Sequence, residues 1–162
     1  MNRRRLQLWL FAGSFAFAFL LQLMPLPQVL LPLKPWWIGL ALVYWAIEAP
    51  ERAGLGFAFL LGLAGDALTG ELLGEQSLRL LVLAFIVLRF RARLRFFPVW
   101  QQALAVLALF LNDRIVILMV RGFSGAPMPP PEFWISPLLG MLACPLVFLL
   151  VDDLRLRLRG SD

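Results

Sequence analysis

Asp66, Asp113 and Arg114 stand inside apolar runs, where ionisable groups are rare. A charged side chain at membrane depth costs at least ~2.5–3.5 kcal/mol on insertion scales. Such a residue therefore needs a partner, a neutral form or a task. One carboxylate with one guanidinium is a structural ion pair in its simplest reading, and a proton relay or a binding site in sharper ones.

Two carboxylates at one depth allow a further reading. One ionised and one neutral carboxyl can activate water, as in an intramembrane aspartyl protease. Gly65-Asp66 is a faint echo of such a site. Against it, "LFLNDRIV" carries no second catalytic signature, and Arg114 beside Asp113 opposes the protonated half of a dyad. Other chemistries are poorly supplied. There is no histidine, which removes histidine bases and the usual zinc and haem ligands. The lone Cys144 lies in an apolar run and forms no intrachain disulfide. No cofactor or metal is expected.

The elements holding these residues must be membrane helices. The chain is 61% hydrophobic with a mean hydropathy of +0.83, above the roughly 45–50% apolar content of a soluble domain. Its 162 residues read as a single integral membrane domain, 1–162, of the all-α class. Six runs approach the ~20 residues needed to cross a bilayer. They are Leu6 to Met24, Trp36 to Ala49, Ala53 to Thr69, Leu72 to Phe90, Val99 to Val120 and Phe133 to Val151. The first run is longer than a signal-peptide core and no small-x-small site follows it, so it reads as a retained helix.

The 15 Lys and Arg against 10 Asp and Glu could suggest nucleic acid, but the basic residues sit at the ends of apolar runs and no nucleic-acid partner is expected. With the N-terminus in the cytoplasm, six spans put Arg3, Arg4, Arg5, Arg52, Arg89, Arg91, Arg93, Arg95, Arg155, Arg157 and Arg159 on that side. The other side receives Lys34, Arg79 and Arg121. This bias predicts that both termini are cytoplasmic. Arg89, Arg91, Arg93 and Arg95 in "RFRARLRFF" form a strand, a helical extension or a contact with anionic lipid, at ~1 kcal/mol per residue for the last. The six tryptophans mostly fall near span ends, as an interfacial belt would place them. "PMPPPE" is expected to be an extended loop.

Small residues recur every fourth position through Gly54, Ala58 and Gly62 to Asp66, then Gly70 and Gly74. Such a stripe is a ridge along which another helix packs closely. Asp66 then faces protein, and Leu61 falls on a face open to lipid. Asp66 lies 14 residues past Arg52, and Asp113 and Arg114 lie 14 and 15 past Val99, each about 21 Å along its helix. An Asp66–Arg114 pair is the expectation. A Gly-rich stripe with one acid can also line a small-ligand pocket.

The order of motifs resembles the MreD family of rod shape-determining membrane proteins. Tyr44-Trp45 followed by Pro50, the Asp66-x3-Gly70-x3-Gly74 stretch and Trp100-Gln101-Gln102 carry the resemblance, which covers roughly residues 20–150. Arg114 is not part of that pattern. The resemblance implies a non-enzymatic inner-membrane protein of the elongation machinery, working with MreC to support lateral peptidoglycan synthesis and cell shape. It also implies direct or indirect links to MreB, RodA and a class B penicillin-binding transpeptidase. The fold it implies is similar to the substrate-binding subunits of energy-coupling-factor transporters. A small-ligand-binding transporter subunit is therefore the alternative function.

Overall fold

The computed structural model describes residues 2–70 and 72–160; Met1, Glu71, Ser161 and Asp162 lie outside the described residues. The described residues form a helical bundle without strands, as the apolar runs predict. Six α-helices follow one another: α1 Arg3–Leu23, α2 Trp37–Glu48, α3 Leu55–Thr69, α4 Glu75–Phe96, α5 Val99–Ser124 and α6 Ile135–Gly160. Two 3-10 turns, Leu31–Leu33 and Pro131–Trp134, lead into α2 and α6. Pro131 opens the second turn, where its missing N–H is not needed, so part of "PMPPPE" is helical after all.

The chain is a membrane protein. The first helix, the fifth, and the sixth together with the turn before it are long and apolar enough to cross a membrane. α2 and α3 are shorter apolar helices. α4 has the length, and its Arg residues lower its hydropathy. "RFRARLRF" is the helical end of α4.

α2 is the core. Ile38 through Ile47 are all buried, and α1, α4 and α6 pack around them. A helix that is apolar all round can only be stable when covered on every side. α3 packs on α4, and α5 joins α4 to α6. Phe11 and Phe15 of α1 meet Trp45 and Phe57 through edge-on and tilted ring contacts, with centroids 4.9–5.2 Å apart. The start of α1 and the end of α6 share one end of the bundle, where Arg3, Gln7, Arg155 and Arg159 line a common cavity. We call this the terminal end, and the opposite one the far end.

The tryptophans divide. Trp9, Trp100 and Trp134 are exposed, as a belt requires, whereas Trp36 and Trp45 are buried core residues. Trp45 is drawn inward because its Nε1–H donates to Ser14 Oγ at 2.7 Å.

Candidate functional site: polar clusters at the two ends of the bundle

The far-end cluster begins with Asp66, which is 1% exposed. Its carboxylate accepts from the backbone N–H of Gly74 at 2.8 Å and of Gln76 at 3.0 Å. These amides open α4, where the first N–H groups of a helix have no intrahelical partner. Asp66 therefore caps the next helix from the end of its own, and its negative charge faces the positive end of the α4 dipole. The expected Asp66–Arg114 pair is not formed. A carboxylate so placed is already satisfied by backbone donors.

Gly70 and Gly74 do not continue the ridge. α3 stops at Thr69, and both glycines take left-handed backbone, φ 68° and 95°, to turn the chain into α4. The ridge proper is Ala58 and Gly62, joined by Gly65, a residue the four-spacing overlooks. A Cβ on Gly62 would collide with the Ser77 backbone, and one on Gly65 with the Gln76 side chain. The stripe therefore seals α3 against α4 within the molecule. A Cβ on Gly54, just before α3, would come no closer than 3.8 Å to the Pro50 carbonyl, an ordinary contact, so no close approach requires a glycine there. Leu61, expected on the lipid face, is buried at 8% exposure.

Asp113 takes its partner from α4. Arg79 grips it with two parallel bonds, Nε to Oδ1 at 2.8 Å and Nη2 to Oδ2 at 2.9 Å, and both residues are buried. Arg79 also stacks on Trp36, 4.3 Å from the ring centroid. Counted in the sequence as an outer-side charge, Arg79 is an interior residue of α4. The antiparallel α4–α5 hairpin holds the missed signal. Arg79 lies 17 residues before Phe96 and Asp113 lies 14 after Val99, roughly 25 and 21 Å from the same tight connection, a difference an arginine side chain spans.

Arg114 is left without a carboxylate among the described residues. It is 8% exposed, its guanidinium lies 4.3 Å from the Phe133 ring centroid, and its Nε has no hydrogen-bond partner. Glu75 approaches Arg121 at 3.7 Å nearby. Lys34 donates to the carbonyls of Gln22 and Met24, and burial lowers its pKa below the ordinary lysine value. Lys34, Trp36, Gln76, Arg79, Arg114 and Glu132 are among the residues lining a cavity of about 410 Å³ here.

The terminal-end cluster joins α2 to α6. Tyr44 donates to Asp152 and accepts from Arg155 at 3.1 Å, and Arg155 also holds Glu48 at 2.9 Å. Arg91 donates to the Ile47 carbonyl at 2.8 Å, closing the last turn of α2. Arg89, Arg93 and Arg95 are exposed. Between the ends runs an apolar groove of about 500 Å³, walled by α1 and α6 and floored by α2. Gly13 lines it, with open space where a Cβ would be.

This geometry stands beside two comparisons with known proteins. The family model described as rod shape-determining protein MreD matches residues 2–154. The curated Rod shape-determining protein MreD of Haemophilus influenzae is 33% identical over 158 residues, covering 95% of each chain. The chain belongs to the MreD family. No solved structure matches it.

The residues that carried the MreD resemblance occupy structural joints. Tyr44 anchors α6, Trp45 ties α2 to α1, and Pro50 sits in the turn before α3. Asp66, Gly70 and Gly74 form the α3–α4 corner. Gln102 Nε2 donates to the Leu94 carbonyl at 3.0 Å, closing the end of α4, while Trp100 is exposed and Gln101 half-buried. The terminal-end partners Glu48, Asp152 and Arg155 carried no signal in the sequence beyond lying near helix ends.

Proposed function

We propose that this chain is a non-enzymatic scaffold of the rod-shape elongation machinery, binding and positioning MreC to support lateral peptidoglycan synthesis. It works in the inner membrane as a multi-pass protein with both termini in the cytoplasm. RodA, the class B transpeptidase and MreB are reached directly or through MreC. The exposed Arg89, Arg93 and Arg95 meet anionic lipid headgroups.

Family membership supports the setting, and one observation supports the scaffold role. The interior carboxylates act as joints: Asp66 caps α4 and Asp113 is clasped by Arg79. A water-activating dyad needs its two carboxyls to face each other across one proton. These two face different partners. The small-residue ridge is used up between α3 and α4, so a partner must bind elsewhere. The groove beside Gly13 is the face we assign to the membrane-embedded part of MreC.

Purification of the solubilised chain from its native cells tests this. MreC should co-purify in a fixed ratio. Gly13→Leu should reduce that recovery at unchanged abundance, because a Cβ added there meets no neighbour inside the fold and the side chain extends into the groove. A stable, abundant chain that never retains MreC would sink the proposal. Full MreC recovery with Gly13→Leu would move the partner surface away from the groove.

A further inference from the structure

The far-end cavity lies outside the scaffold reading. Its lining combines two features that point to a ligand. Arg114 is a buried cation with no carboxylate at ion-pair distance among the described residues. Its Nε and the indole Nε1 of Trp36 also have no hydrogen-bond partner, in side chains 8% and 4% exposed. Both groups can donate and neither can accept, so the missing partner is an acceptor. A buried guanidinium that makes no ion pair of its own among the described residues favours an anion as this acceptor.

The charges of the described lining residues favour an anion. Asp113 is gripped by Arg79, and Lys34 and Arg114 stand with Glu132 among the described residues of the lining. Lys34 is already bonded to two carbonyls, so the anion is read best at Arg114. The Phe133 ring lies against that guanidinium, whose geometry suits a planar or bidentate acceptor. Gln76 in the same lining can add its amide N–H₂ to the shell, whereas the Ser136 hydroxyl already donates to the Lys34 carbonyl.

The apolar part of the lining indicates what carries the charge. Leu31 and Pro130 line the cavity beside the cationic groups, and Val29, Leu30 and Met128 in the same loops are exposed. A cavity of about 410 Å³ so lined suits a polar headgroup whose chains remain outside. We propose that the far-end cavity binds a singly charged phosphodiester through Arg114, either as a lipid headgroup or as the free headgroup.

The full chain in phosphate-free maltoside detergent is titrated with phosphatidylglycerol, with soluble glycerophosphoglycerol and with diacylglycerol. Thermal unfolding and native mass spectrometry are the readouts. Phosphatidylglycerol should bind one-to-one and raise the unfolding midpoint, and diacylglycerol should do neither. Stabilisation by glycerophosphoglycerol as well identifies the headgroup alone as sufficient; stabilisation by the lipid only identifies the membrane as the source. Arg114→Gln should weaken binding about tenfold or more, as expected for a lost charged hydrogen bond. Arg114→Lys, which keeps the charge but loses the fork, should fall between. Arg114→Lys is the readout if Arg114→Gln does not fold, and binding unchanged from the wild type in whichever variant folds overturns the proposal. So does a wild-type chain that binds neither phosphodiester, or binds diacylglycerol equally.

Discussion

The two ends of the bundle hold ion pairs of nearly the same length in different surroundings. At the far end, Arg79 and Asp113 meet at 2.8 Å with side chains 9% and 2% exposed. At the terminal end, Arg155 and Glu48 meet at 2.9 Å with side chains 16% and 27% exposed. Distance alone would rank them together. Burial separates them: removing one partner of a buried pair strands the other charge, whereas water and salt take over for a more open pair.

The largest effect is expected from Asp113→Asn, which takes from the buried Arg79 cation the carboxylate it grips with two bonds. A loss of ~3–5 kcal/mol in unfolding measurements is the expected size. Exchanging the pair, Arg79→Asp with Asp113→Arg, should recover part of it. The exchange Asp66→Arg with Arg114→Asp should recover nothing, because it sets a cation against the amides that open α4. Recovery there would mean that Asp66 and Arg114 do meet.

Next comes Asp66→Asn. The amide keeps one acceptor but turns an N–H₂ toward a backbone donor, so the cap is half lost, at a cost of ~1–2 kcal/mol. The effect should appear as faster amide exchange at Gln76 and its neighbours, not along the whole chain. Uniform loss of protection would make Asp66 a global determinant like Asp113.

The smallest effect belongs to the terminal end. Glu48→Gln should cost ~1 kcal/mol or less, since Arg155 keeps Tyr44 as a partner and stands near water. A loss as large as that of Asp113→Asn would remove the distinction between the two ends.

What was legible in the sequence follows the same division. The apolar runs located all six helices within a few residues, except that α4 starts later and runs on through its arginines, and α6 extends to Gly160. Burial periodicity is a local signal. That some helix approaches α3 closely was readable from the stripe through Gly62, where an added Cβ would collide with the Ser77 backbone; that the neighbour is α4 was not. Pairings were less readable, since they depend on which helices become neighbours. Asp66 and Arg114 share a depth but not a contact. Arg79, a single charge near the start of its apolar run, reads in sequence as an outer-side topology charge and not as a partner for Asp113. Gly70 and Gly74 keep the spacing of the ridge yet leave the helix, because left-handed glycines end helices as readily as small residues pack them. Trp36 sits at a helix start but turns into the core, where Gly39, Phe110 and Arg79 receive its ring.

The shortness of α2 bears on how the chain enters a membrane. Its 12 residues extend about 18 Å, well under the roughly 30 Å hydrocarbon thickness. Arriving alone during synthesis, it would be a poor span, and the polar groups at its end would lie near lipid. Among the described residues, Tyr44 and Glu48 find their side-chain hydrogen-bond partners on α6, the last helix made. The second helix of the chain is therefore completed by the sixth, and a nascent chain stopped before Asp152 holds its own centre unfinished.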